Sequence, residues 1–241
     1  MKLIEVLQLI EEVAYENKLS RPFICGGLPR DKVINKDIIL NDIDITTGDS
    51  DVHFLAKEVH LKLKKINAKY LVMSDGHASI MLPGLKLDFS SNFIVPNIQN
   101  IIGIKMPDLH QEMISRDFTC NTLLMSLDLK NIYDPLKKGI HAIESKTIDT
   151  CLPPNMTLKL DPNRIVRSIY LSSKLNFKLS DRVEDWISQN KHMLDLIPKD
   201  YISKKINKAL EFDYNNTINL IKKLKIQDKI PLNYINFKDT L

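Results

Sequence analysis

Residues 24–45 read ICGGLPRDKVINKDIILNDIDI, and their reading decides the fold. The apolar run Pro22–Gly26 is stopped by a double glycine, a strand signal. Pro29 suits the first turn of a following helix through Asp31, Val33 and Ile34, where a missing N–H costs nothing. In Asp42–Thr46 acids alternate with apolar residues, which predicts a half-buried strand. On it Asp42 and Asp44 project from one face while Ile43 and Ile45 turn to the core. Two neighbouring ionised carboxylates repel unless a cation lies between them. Magnesium is a hard ion held by one or two carboxylates plus substrate phosphates. At the strand–helix turn, Gly26 and Gly27 let another group approach the backbone. The helix start offers unpaired N–H groups to an anion, with Arg30 close by. Each feature has a plainer reading alone, a tight turn or a solvated strand end. Together they are far more specific.

Outward from this stretch the patterns alternate. Leu3, Leu7, Ile10 and Val13 recur at helical spacing within MKLIEVLQLIEEVAYEN, whose glutamates speak against a signal or transit peptide. Asp51 to about Ile66 reads as a helix with Phe54, Leu55, Val59, Leu61 and Leu63 recurring. Tyr70–Met73, Ser79–Leu82 and Leu85–Phe89, punctuated by Gly76 and Pro83-Gly84, read as a meander of strands. Asp88 shares a strand face with Lys86, either as a third carboxylate for the metal or as an exposed strand acid. This predicts an α/β (α+β) head with a mixed sheet over residues 1–152. After Pro153-Pro154 come helical patterns at Pro162–Leu175, Asp181–Gln189, Asp200–Glu211 and Asn215–Leu224. Residues 153–241 are therefore expected to form an all-helical second domain.

Composition narrows the class. Of 241 residues 44% are hydrophobic and 27% charged, with seven glycines and eleven prolines, which excludes collagen-like and disordered chains. The net charge is +4, and residues 191–241 hold ten lysines against six acids, so the whole excess lies there. Cys25, Cys120 and Cys151 are odd in number and widely spaced, as expected of reduced thiols and not of a zinc knuckle. No apolar run approaches the length of a membrane span, so no membrane partner and a cytoplasmic location are expected. Apolar helix faces serve cores and dimer seams alike, which leaves the oligomeric state open.

GGLPRD followed by NDIDI resembles the nucleotidyltransferase signature of class II tRNA CCA-adding enzymes and bacterial poly(A) polymerases, within the polymerase-β-like superfamily. The resemblance continues in order. MISRDFTCNTLL is similar to the family's R-R-D-F-T-x-N-A segment at Arg116, Asp117, Phe118, Thr119 and Asn121. IYDPLKKGIHAIESKTI is similar to D-P-x-x-G-x-x-D-L at Asp134, Pro135 and Gly139. LDPNRIVRSIYLSSKLNF is similar to E-D-P-x-R-x-L-R-x-x-R-F-A at Asp161, Pro162, Arg164 and Arg167. The resemblance implies that Gly26, Gly27 and Arg30 contact the nucleotide's phosphates. It implies that Asp42 and Asp44, with Asp88 as a possible third acid, hold catalytic Mg²⁺. It implies that Arg116 and Asp117 meet ribose and phosphates, that Asp161 and Arg164 read the base edge, and that Arg167 is a further nucleotide contact. Arginine's planar fork suits phosphate oxygens, although Asp161 could equally be a helix cap.

The chain departs from the pattern at Leu28-Pro29, at Ser115 in place of the first arginine, and at Leu160 in place of the glutamate before the template aspartate. Tyr170-Leu171-Ser172 replaces the third arginine and its phenylalanine-alanine. The implied activity is template-independent transfer of nucleotides from ATP and CTP to an RNA 3′ end, with tRNA as partner and CCA or its terminal part as the addition. Lys204, Lys205, Lys208, Lys222, Lys223 and Lys225 are expected either to track the RNA backbone or to be solvated helix faces. The alternatives are poly(A) addition, a nucleotide- or RNA-binding protein that has lost turnover, and a transferase of the superfamily acting on a protein or small molecule.

Overall fold

The computed structural model describes residues 2–35, 40–73, 77–91 and 106–231. They form two compact units. One holds residues up to Arg116 together with Cys120–Ile143, the other Asp117–Thr119 and the chain from Glu144 onward.

The first unit is built on a seven-stranded sheet of order β3-β4-β5-β2-β1-β6-β7. Its strands are β1 (Phe23–Cys25), β2 (Asp42–Thr46), β3 (Lys69–Val72), β4 (Ala78–Leu82), β5 (Leu85–Phe89), β6 (Leu124–Met125) and β7 (Ile132–Tyr133). β3, β4 and β5 form the expected antiparallel meander, β1 runs antiparallel to β2, and β2 runs parallel to β5. The sheet is therefore mixed. Alternation along β2 and β5 buries Ile43, Ile45, Leu87 and Phe89 completely. The helices α1 (Leu3–Glu16) and α3 (Asp51–Leu63) add Leu7, Ile10, Val52, Leu55 and Val59 to the same core, while α2 (Gly27–Val33) follows β1. Each such aliphatic side chain contributes about 1.5–3 kcal/mol on burial.

Two expectations for α3 need correction. Phe54 and Leu61 lie exposed, because the buried stripe is Val52, Leu55, Ala56, Val59 and Leu63 at three- and four-residue steps. The α-helix also ends at Leu63, and a 3₁₀ turn over Lys64–Ile66 carries the chain to Asn67 in the left-handed region. The expected punctuation at Gly76 lies outside the described residues. The helix α4 (Asp108–Ser115) and the two-residue strands β6 and β7 were not foreseen.

The second unit is mainly helical: α6 (Pro154–Leu160), α7 (Asn163–Leu175), α8 (Asp181–Gln189), α9 (Lys199–Phe212) and α10 (Tyr214–Lys223), after the short α5 (Gly139–Glu144). It is not purely helical. β8 (Thr147–Ile148) pairs in parallel with β9 (Lys178–Leu179). That pairing draws the segment from Glu144 into this unit, so the unit starts ahead of the Pro153-Pro154 step. Ile165, Val166, Ile169, Ile202, Ile206, Ile218 and Ile221 are buried in it. Among the described residues no helix is long and apolar enough to cross a membrane.

Candidate active site

In the first unit the parallel pairing of β2 with β5 sets Asp42 beside Lys86 and Asp44 beside Asp88. Asp42 is exposed, Asp44 partly buried, and both stand on the face opposite Ile43 and Ile45. Burial raises the Asp44 pKa; Arg116 opposes this, and the neighbouring Asp88 and Asp42 push it further up. The Lys86 ammonium pairs with Asp88 and lies 3.7 Å from Asp42 Oδ1. Ser79 Oγ also donates to Asp88. Among the described residues no group of three or more His, Cys, Asp and Glu side chains is disposed to hold a metal. Asp88 is thus engaged by Ser79 and Lys86, while Asp42 and Asp44 remain a pair of hard, mutually repelling oxygen donors. Such a pair fits a divalent cation that takes its other ligands from substrate phosphates and water.

The double glycine has a visible reason. Gly26 has φ +77°, and a Cβ there would lie 2.5 Å from Asp44 Oδ2. A Cβ on Gly27 would lie 3.2 Å from Arg30 Nη2. The groups that approach this backbone are therefore the chain's own Asp44 and Arg30. Arg30 is only 3% exposed. It donates through Nε to Asp31 Oδ1 at 2.8 Å and through Nη1 to Asn121 Oδ1 at 2.6 Å. Asn121 and Asp31 thus orient the fork that the sequence assigned to phosphates.

Arg116 is 7% exposed. Its Nη2 donates to Glu112 Oε1 at 2.5 Å and to Cys25 Sγ at 3.0 Å. Burial works against its charge, but the carboxylates of Glu112 and Asp44 beside it hold it protonated. Burial also pushes the Cys25 thiol up to about 12, so it is neutral and no nucleophile at ordinary pH. Glu112, fully buried, escaped the sequence reading. The available signal was its place one helical turn before Arg116. Ser115, standing where the motif has arginine, turns its hydroxyl back to Glu112 O.

In the second unit Asp117 accepts from Arg167 Nε at 2.9 Å and Nη2 at 2.6 Å. Asp117 chiefly raises the Arg167 pKa. Asp161 divides its oxygens: Oδ1 accepts from Asn163 N at 3.1 Å, and Oδ2 lies 3.6 Å from Arg164 Nε. The cap and the paired carboxylate are thus both present. Burial lowers the Arg164 pKa, while Asp117 and Asp161 oppose the shift. Leu160 is exposed, and its side chain carries no acceptor where the motif has a carboxylate. Of the tail lysines, Lys223 pairs with Glu184. Tyr201 and Lys205, which meet Arg167 and Tyr170, come from a helix some thirty residues on, and no spacing could have announced them.

The family model of the Poly A polymerase head domain matches residues 22–149, more than half of the chain. The chain belongs to this family. Among similar proteins, the A-adding tRNA nucleotidyltransferase of Aquifex aeolicus is 27% identical over 218 residues, 87% of this chain and 26% of that protein. The CCA-adding enzyme of Limosilactobacillus reuteri is 26% identical over 215 residues, 85% of this chain and 48% of that one. The chain therefore spans half or less of the length of these relatives. A tRNA nucleotidyltransferase solved with a primer tRNA and an incoming ATP analog superposes with a TM-score of 0.72 at 25% identity, covering 95% of this chain and 64% of that one. The Bacillus stearothermophilus CCA-adding enzyme, solved with CTP, shares the fold with a TM-score of 0.73 at 21% identity, over 96% and 55% of the two chains. The Poly A polymerase head matches the segment that holds the carboxylates, the double glycine, Arg30 and Arg116.

Proposed function

We propose that the chain is a template-independent nucleotidyltransferase that adds CCA, or its terminal part, to tRNA 3′ ends from CTP and ATP. The observation that carries this reading is the Asp42–Asp44 pair on one face of β2, with Asp44 against Gly26, in a head of the Poly A polymerase family. The first unit would serve as catalytic head, the second as the part that selects nucleotides and meets RNA.

Asp42 and Asp44 would hold Mg²⁺, which when bound neutralises triphosphate charge and makes the primer's 3′-hydroxyl more acidic. The hydroxyl attacks the α-phosphorus in line and pyrophosphate leaves, with no covalent enzyme intermediate. The chain's own contribution is positioning. Gly26 fixes Asp44 by leaving its oxygen room. Asn121 and Asp31 hold the buried Arg30 beside the double-glycine turn, where it braces the backbone that leads into α2. Arg116 steadies the Asp44 charge and acts through that neighbour. In the second unit a carboxylate that accepts and a guanidinium that donates, Asp161 and Arg164, suit the carbonyl and amino groups of a base edge. This pair is the ground for preferring CCA over poly(A) addition.

The test is incorporation of each of the four labelled nucleotides into a tRNA lacking its CCA end. Ordered addition of CMP and AMP is expected, abolished in Asp42→Ala, Asp44→Ala. Long AMP tails on any RNA would instead make the protein a poly(A) polymerase. Lys86, already lodged against Asp42 and Asp88, favours a second reading, an RNA or nucleotide binder without turnover. Magnesium-dependent pyrophosphate release decides between them.

A further inference from the structure

Three carboxylates and one ammonium share a face of the sheet in the first unit. Asp42 and Asp44 on β2 stand in register with Lys86 and Asp88 on the parallel β5. Lys86 N donates to Asn41 O at 2.8 Å and Ser90 N to Ile45 O at 3.0 Å, which pins the two strands against slipping. Neighbouring strands lie about 4.8 Å apart, and residues two apart along a strand about 6.6 Å. The four side chains therefore mark the corners of a small rectangle. Within it the three acids repel one another, and a positive charge at any corner is felt at the other three.

Asp88 is committed within this group. Ser79, opposite it on β4 and buried, donates to Oδ1. The Lys86 ammonium takes Oδ2 and lies 3.7 Å from Asp42 Oδ1. Both oxygens of Asp88 are thus engaged inside the protein. The Lys86 side chain is 42% exposed and that of Asp42 65%, so a hydrated ion can reach the place where the ammonium lies. An exposed lysine–carboxylate pair contributes little to stability. The position of this one gives it another consequence. It sets a positive charge where a divalent ion would approach Asp42 and Asp44, and it takes away the acid that could be their third donor.

We propose that Lys86 is a tethered counter-ion that keeps Asp88 out of the cation site and so holds down the site's affinity for a free divalent ion. The inference rests on the reading of Asp42 and Asp44 as the ion's donors, and adds the residue that sets how tightly they hold it. A site of two carboxylates leans on substrate phosphates for its other ligands. A chain kept in that state takes its metal chiefly together with the nucleotide.

The test is titration of the full chain with Mn²⁺ alone, followed by loss of the free ion's electron paramagnetic resonance signal. Lys86→Met keeps the stem and removes the charge, and is expected to tighten Mn²⁺ binding about tenfold or more. That is the size of the repulsion between a single and a double charge about 6 Å apart, even where screening is as strong as in water. Lys86→Arg keeps the charge and should stay within about threefold of wild type. In Lys86→Met, Asp88→Asn the net charge of the rectangle is that of the wild type again, and the gain should vanish. Lys62→Met, which breaks the exposed pair with Glu16, is the control and should change nothing. Wild-type or weaker affinity in Lys86→Met would overturn the inference, as would a gain that survives Asp88→Asn or appears equally in Lys86→Arg. Mn²⁺ held as tightly by Asp42→Ala, Asp44→Ala would put the ion elsewhere and overturn both the inference and the reading on which it rests. A chain that shows the expected gain yet incorporates no nucleotide loses only the enzymatic reading; one that incorporates nucleotides without the gain loses only the inference.

Discussion

Gly26 and Asp161 show how single residues divide between architecture and chemistry. At φ +77° Gly26 occupies a region that strains any L side chain, and a methyl group would press on Asp44 Oδ2. Gly26→Ala is therefore expected to cost about 1–3 kcal/mol in backbone strain. Displacement of Asp44 by about 1 Å should cost on the order of 100-fold in nucleotide incorporation. Gly27→Ala meets only the tip of Arg30 and should be milder. Thermal melts and incorporation rates of the two variants, compared side by side, check this; equal effects would mean that the Asp44 approach is incidental. Asp161 caps with one oxygen and faces Arg164 with the other. Asn caps about as well as Asp, so Asp161→Asn should leave the melting temperature in place. It should also lower discrimination between CTP and ATP by about tenfold or more, the worth of a hydrogen bond to a charged group. Unchanged discrimination would reduce Asp161 to a cap.

Elements were legible in the sequence where one face is buried over several residues. The alternation in DIDIT and the stripe in α1 each repeat often enough to mark a face. β6, β7, β8 and β9 have two residues each, too few for a period to register. Phe54 and Leu61 misled because apolar residues also occur on exposed faces. Within the site, the acids and glycines were legible as a local pattern. What the sequence hid was the support beside them, where β1 and α4 bring Cys25, Arg116 and Glu112 together. That support has a pH signature. The Cys25 thiol has an ordinary value of 9.0 and is pushed up to about 12 in the fold. Between those values the unfolded chain loses its proton first, so the contribution to stability is complete below about pH 9 and is lost as pH rises toward 12. At pH 8, iodoacetamide should therefore modify Cys151 first and leave Cys25 untouched until urea unfolds the protein. Rapid labelling of Cys25 in the native state would contradict the buried cluster.

At the scale of the whole molecule, sequence order conceals which body a residue serves. Arg116 and Asp117 are neighbours in one motif, yet Arg116 belongs to the sheet-containing unit and Asp117 to the helical one. Their partners follow the same division: Glu112 and Cys25 for the first, Arg167 for the second. A motif read along the chain shows two adjacent nucleotide contacts. The structure shows two anchors, each fastening its own unit. Proteins open locally in cooperative pieces, and removing an anchor should lower the opening free energy of the piece that it holds. Glu112→Gln leaves the buried Arg116 guanidinium without its carboxylate, a loss on the order of 3–5 kcal/mol. Its hydrogen exchange should quicken in β1 and β2 while the amides of α7 keep their protection. Asp117→Asn should do the reverse, quickening α7, where Arg167 loses its acceptor, and sparing the sheet. If either variant loosened both sets of amides equally, the chain would unfold as one cooperative body, and the Arg116–Asp117 junction would not be a boundary between anchors.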